Sequence, residues 1–226
     1  MYNKNISLAV LCSLFLLHTT THACDSCGCS PARVAEKWHQ LFDGSSLDGW
    51  SSNGETADVF TINENGELAV EGGRAHLFWQ GNQEVGVDLI NFELKAEVLT
   101  TAGANSGIFF HTKFQERGWP EVGLEAQVNS SHKDARKTGS VYGLQDVLND
   151  APSKDEQWFD YTIRVVGKQV TISVDDVVVN QYVEPEVPIL KENRPHIRLG
   201  KGTLAIQGHD PESKTYYKNI RLRILD

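Results

Sequence analysis

From Phe60 to the C-terminus the apolar positions recur at every second residue, the period of a strand with one buried face. In Phe92-Glu-Leu-Lys-Ala-Glu-Val98, Phe92, Leu94, Ala96 and Val98 share one side, while Glu93, Lys95 and Glu97 share the other. Phe60–Ile62 and Leu68–Val70 flank Asn65-Gly66, a dipeptide that tolerates the positive φ of a hairpin turn. Tyr161–Val166, Val170–Val174 and Val177–Tyr182 are β-branched runs broken at Gly167-Lys168 and Asp175-Asp176; they predict a meander. Tyr216–Leu225 predicts a closing strand with Ile220, Leu222 and Ile224 inward. One helix is expected, over Pro31–Gln40, with Ser30 as N-cap and Pro31 in its first turn. Many short strands with close turn signals predict an all-β antiparallel sandwich. Its expected core is Phe92, Leu94, Val98, Leu124, Val128, Ile163, Ile172, Ile220 and Leu222.

The N-terminus breaks this pattern. Lys4 precedes an apolar run, Ile6–Leu17, and Thr21-His22-Ala23 ends in small residues, the order of a secretory signal peptide. The chain divides into a leader over 1–23, a Cys-containing tail over 24–37 and one domain over 38–226. Export to the periplasm, cell envelope or medium is expected. Cys24, Cys27 and Cys29 cluster in the tail and the domain has no cysteine, so no disulfide staples the core. A lipid on Cys24 is one reading, and the only expected membrane contact; a metal-binding, disulfide-forming or inert tail is the other. Pro185–Pro195 is the most loop-like interior stretch. A net charge of −9 argues against nucleic acid, whose phosphates need a basic face.

Candidate chemistry lies between Asn105 and Gly143. In Ser106–Thr112 the alternation sets Phe109 and His111 opposite Ile108 and Phe110. In Gly123–Asn129, Glu125, Gln127 and Asn129 oppose Leu124, Ala126 and Val128; Thr203, Ala205, Gln207 and His209 form a second row opposite Leu204 and Ile206. If one sheet carries both rows, they line one surface. A polar alternate face is also the ordinary solvent side of an antiparallel sheet, and Arg136 and Lys137 read equally as a solvated loop. His39, His76 and His196 read as surface or structural, and Phe109, Phe110 and Trp119 as core. No Ser-His-Asp order, phosphate-binding loop or His-Glu-x-x-His pair is present.

A family resemblance raises the polar rows above the solvent-face reading. Leu41-Phe-Asp-Gly-Ser-Ser-Leu-Asp-Gly-Trp50, Asn105-Ser-Gly-Ile-Phe-Phe110, Gly123-Leu-Glu-Ala-Gln-Val128 with Lys137-Thr-Gly-Ser-Val-Tyr-Gly143, Gln157-Trp158, and Gly202–His209 before Tyr217–Ile220 resemble, in order, the signatures of the 3-keto-disaccharide hydrolase family. His111 stands where many members carry Arg. The resemblance implies a concanavalin A-like jelly roll and cleavage of glycosides already oxidised at C3. A C3 ketone acidifies the C2 proton, so deprotonation, elimination from C1 and hydration need one base rather than two facing carboxylates. Glu125 is the expected base, with His111 or His209 as alternative base and as proton donor. Asn105, Gln127, Lys137, Tyr142 and Gln207 are expected to hold the sugar, with Lys137 beside the enolate. A divalent cation on Glu125 and His111 is a further option, its ligand set incomplete. The rival functions are a carbohydrate-binding module without catalysis and an envelope scaffold working through the Cys tail.

Overall fold

The computed structural model describes residues 37–54, 58–187 and 196–226. The expected leader and Cys tail, up to Glu36, lie outside them, as does most of the Pro185–Pro195 stretch. The described residues form thirteen strands and no helix, and the period-two segments account for ten of the strands, with His39–Phe42, Trp50–Ser52 and Ala75–Trp79 added. One sheet contains, in spatial order, β11 (Val177–Val183), β10 (Gln169–Val174), β9 (Phe159–Val166), β6 (Phe92–Thr100), β13 (Lys214–Ile224), β4 (Leu68–Glu71) and β3 (Phe60–Ile62), with β1 (His39–Phe42) also on β13. The second contains β2 (Trp50–Ser52), β5 (Ala75–Trp79), β12 (Thr203–Gly208), β7 (Ser106–Thr112) and β8 (Leu124–Val128). Every strand pair is antiparallel. The predicted meander is β9-β10-β11, and the Asn65-Gly66 hairpin joins β3 to β4.

The two sheets pack as the expected β-sandwich. All nine predicted core residues are buried, each such side chain worth about 1.5–3 kcal/mol relative to exposure. Phe92 of β6 meets Phe110 of β7 edge to face across the layer, ring centroids 6.1 Å apart. Two polar bolts also cross it. Tyr161 of β9 donates its hydroxyl to the Gln127 carbonyl of β8 at 2.9 Å. Tyr217 of β13 bonds Ser106 of β7 at 2.7 Å, and Ser106 donates to the Gln207 carbonyl of β12 at 2.6 Å. Each bolt ends on a strand whose other face carries a polar row.

Three expectations need correction. Of the helix expected over Pro31–Gln40, residues 31–36 lie outside the described ones; at its C-terminal end His39 and Gln40 pair with Leu222 and Arg221 as part of β1, and sheet pairing overrides the local helix signal. Ile224 is 46 % exposed, because β13 runs past the end of the core; Leu225, whose N–H donates to the Asn91 carbonyl, takes the buried place. Glu93 is buried rather than solvated. Burial alone would raise its pKa, but Arg223 and Arg164, donating at 2.9 and 2.8 Å, hold it below the usual carboxylate value.

Candidate active site

The second sheet brings both polar rows together: β8 and β12 flank β7, so Glu125, Gln127 and Gln207 share its outer face. A cavity of about 270 Å³ opens there, lined by Asn105, Phe109, Trp119, Glu125, Gln127, Tyr142, Gln207 and His209. Glu125 is its sole carboxylate among the described residues and is only 8 % exposed. Gln207 donates Nε2 to Glu125 Oε1 at 2.8 Å, while its own Oε1 is buried without a partner. Gln127 lies between Glu125 and Asn105. With its NH2 toward the carboxylate it donates to Glu125 Oε1 at 3.1 Å and to the Ser106 carbonyl at 3.2 Å; reversed, it donates to Asn105 Oδ1 at 3.1 Å. The first orientation suits a carboxylate, which only accepts, but sets Gln127 Oε1 against Asn105 Oδ1 at 3.1 Å; the second keeps the Asn105 bond.

Local sequence explains how Glu125 reaches this place. A Cβ on Gly107 would meet Glu125 Oε1 at 2.6 Å, so the glycine of Asn105-Ser-Gly is the space in which the carboxylate lies. The segment after Lys137 then runs along β8 and covers its edge. Gln127 donates to the Ser140 carbonyl, Gly139 to the Gln127 carbonyl, and Tyr142 to the Glu125 carbonyl, at 3.0, 3.0 and 2.9 Å. Tyr142 thereby enters the cavity wall. Its hydroxyl donates to Asp134 at 2.9 Å and its ring carries the Arg136 guanidinium at 4.7 Å; burial, then the Asp134 bond and charge, raise its pKa.

His209 closes the rim. Its Nδ1 lies 2.7 Å from Asp210 Oδ2, and Asp210 is in turn fixed by Ser213 Oγ at 2.9 Å and by the N–H groups of Glu212 and Ser213. This leaves Nε2 of His209 for the cavity. Its ring packs against Trp119 and His132, each 5.5 Å away. Asp210 and His132 escaped sequence reasoning. Asp210 follows the row out of phase, and His132 sits in a loop without periodicity.

Two predicted site residues stand elsewhere. Alternation places His111 beside Phe109, yet β7 pairs Phe110 with Leu204 and Thr112 with Thr203, so His111 is the extra residue of a bulge, with φ of 55°. The bulge turns its ring inward against Phe92 and Phe110. There Nε2 donates to the Ile90 carbonyl at 2.9 Å and Nδ1 accepts from the Gly200 N–H at 3.2 Å. Burial holds its pKa down. Both nitrogens are engaged, so His111 is brought neither to Glu125 nor to a shared cation. Lys137 is buried, but its ammonium donates to the His132 carbonyl at 2.7 Å; it ties the 130–137 loop and does not line the cavity.

His132, His209 and Asp210 bring metal-ligand-type atoms within 4.8 Å of one another. However, His132 Nδ1 accepts the Asp134 N–H at 3.1 Å and faces Asn105 Nδ2 at 3.2 Å. This places the ring proton on Nε2 and removes the lone pair a metal would take. The trio fits a hydrogen-bonding cluster better. Trp119, expected in the core, is 38 % exposed at the rim. Phe109 is buried, but in a small outer-face cluster with Phe78 and Ala205 under the cavity. Phe110 is core, and His76 is fully buried.

With this geometry in view, a sequence profile of the 3-keto-alpha-glucoside-1,2-lyase-like domain matches residues 37–223. No curated protein matches the chain. Among solved structures, a candidate glycosyl hydrolase from Parabacteroides distasonis ATCC 8503 is 20 % identical, with a TM-score of 0.68 over 84 % of this chain and 94 % of that one. The Bacillus licheniformis beta-glucanase is 10 % identical, with a TM-score of 0.54 over 84 % of this chain and 98 % of that one. Carbohydrate-binding module CBM66 from Bacillus subtilis is 11 % identical, with a TM-score of 0.52 over 76 % of this chain and 94 % of that one. At these identities the likenesses establish the fold, a jelly-roll sandwich, and no more.

Proposed function

Because this chain belongs to the 3-keto-alpha-glucoside-1,2-lyase-like domain family, we propose that it cleaves 3-keto-glycosides by elimination across C1–C2 followed by hydration. The observation that carries the reading is a single buried carboxylate, Glu125, set among amides in a cavity with His209 at its rim. A two-carboxylate glycosidase needs a second acid facing the first, and among the described residues no other carboxylate lines this cavity. Elimination needs one base. Glu125 takes the C2 proton, the electron pair moves into the C3 carbonyl as an enolate, and the C1–oxygen bond breaks as the enolate reopens. His209, held by Asp210, gives a proton from Nε2 to the departing oxygen. Water then adds at C1 and a proton returns to C2, so the net change is hydrolysis. The Gln207, Gln127 and Asn105 amides orient the sugar, and amide N–H groups stabilise the enolate oxygen.

Incubation of the purified chain with a 3-keto-glucoside and its unoxidised parent tests this. Turnover of the ketone alone is expected. Tight binding of both with turnover of neither would favour the rival reading, a binding module, for which the half-exposed Trp119 is the supporting feature. We also propose that the protein is exported, with the leader ending at Ala23 and Cys24 first in the mature chain. The intact mass of the protein from its native host decides this and also reports any lipid on Cys24; a mass that retains residues 1–23 would contradict export.

A further inference from the structure

A second cavity, of about 410 Å³, adjoins the first and is lined by Asn53, Gly72, Gly73, Arg74, Arg117, Gly118, Trp119 and His209. The two cavities share Trp119 and His209. His209 also borders a third cavity, of about 550 Å³, but the second shares Trp119 as well as His209 with the first. A substrate with its sugar ring over Glu125 and its glycosidic oxygen at His209 therefore has the second cavity open to its leaving group along the Trp119 wall. The walls there are unlike the rest of the molecule. The chain has a net charge of −9, yet among the described residues two arginines and no carboxylate line this space.

Neither guanidinium has an ion-pair partner among the described residues. Arg74 lies over the Trp119 ring at 5.8 Å. Arg117 is carried on a loop pinned by one side chain: Gln115 donates to the Arg117 and Trp119 carbonyls at 2.7 and 2.8 Å and accepts the Glu121 N–H at 3.0 Å. Gly72 and Gly73 have positive φ and open space where a side chain would stand, which keeps the cavity clear. Two uncompensated cations in a cleft of an acidic protein form a local anion well, and guanidinium groups match planar oxyanions bidentately.

We propose that the second cavity is the leaving-group subsite and that it selects leaving groups bearing an anion, a carboxylate or sulfate. The inference rests on the elimination reading of the first cavity, because it fixes which half of the substrate lies where. It makes the preferred substrates 3-keto-glycosides of acidic partners.

Three 3-keto-glucosides test it, with phenyl, 4-carboxyphenyl and 4-sulfophenyl leaving groups, compared by kcat/KM at low and high salt. The anionic pair is expected to exceed phenyl by about tenfold at low salt, the size of one partly exposed charge-assisted contact. The gain should lie mainly in KM and shrink as salt rises. Arg74→Gln with Arg117→Gln should bring the ratio close to one. A wild-type ratio of one, with all three substrates turned over, overturns the inference and leaves the elimination chemistry standing. A ratio unchanged by the double substitution also overturns it. If none is turned over, the elimination reading fails, and calorimetric binding of unoxidised phenyl and 4-carboxyphenyl glucosides decides the subsite: equal affinity, or no binding of either, overturns it.

Discussion

Glu125 is the residue on which the chemistry depends. Glu125→Gln keeps the shape and removes the base, so turnover of a 3-keto-glucoside should fall by about 100-fold or more. Near-normal turnover, with His209→Ala inactive, would move the base to the imidazole. Gly107→Ala tests the same atom from below. Its methyl would stand 2.6 Å from Glu125 Oε1 and push the carboxylate aside, so kcat should drop with the fold intact by circular dichroism. Unchanged kcat would mean that the carboxylate position is not critical. Strand alternation places Glu125 and Gln127 on one face of their strand and Gln207 in a second polar row, since two residues per repeat fix which side a side chain takes; the family resemblance is needed to raise those rows above an ordinary solvent side. Asp210 and Trp119 are not legible, because loop conformation sets their direction and periodicity carries no information there.

At the scale of elements, the site depends on how β7, β8 and β12 are held against the opposite sheet. Tyr161 and Tyr217 bolt their backs to β9 and β13, and burial raises the pKa of both phenols. Tyr161→Phe leaves the Gln127 carbonyl without that donor. A loss of about 1–2 kcal/mol in urea unfolding is expected, together with a fall in kcat as β8 loosens; no change in stability would show that the bond contributes nothing. Most of the strands, the predicted core residues and the β9-β10-β11 meander were readable in the sequence; β2 and β5, three and five residues long, gave no period-two signal. The His111 bulge was not readable: one extra residue in β7 reverses a side chain without altering the local pattern, and only the pairing with β12 reveals it. The helix expected up to Gln40 failed for a related reason, since β13 offers β1 a pairing that no local signal records.

At the scale of the whole molecule, His76 is an acid-sensitive group beneath the site. His76 is fully buried, both ring nitrogens lack partners, and its ring contacts Phe109 and Trp119. Burial, then the Arg74 and His209 charges, push its pKa down to about 3. The neutral ring is thus favoured by the fold, while the unfolded chain takes up a proton near pH 6.5. His76 contributes fully above that pH, and the contribution is lost as pH falls toward 3, by about 1.4 kcal/mol per pH unit. His76→Phe should flatten this part of the stability profile in urea titrations at pH 7, 5 and 4; an unaltered slope would assign acid sensitivity to other groups. Fold and family were readable across the domain because its motifs are spread over the whole chain. The division into two cavities was not, because Arg74 and Arg117 meet only through tertiary contact. The central claim, elimination rather than displacement at C1, rests on the C2 proton. The most direct measurement is turnover of a 3-keto-glucoside in deuterium oxide with the product read by NMR. Deuterium at C2 of the released sugar at a rate tied to turnover, beyond exchange in an enzyme-free control, is the predicted result. Complete release of the leaving group with protium retained at C2 would contradict it.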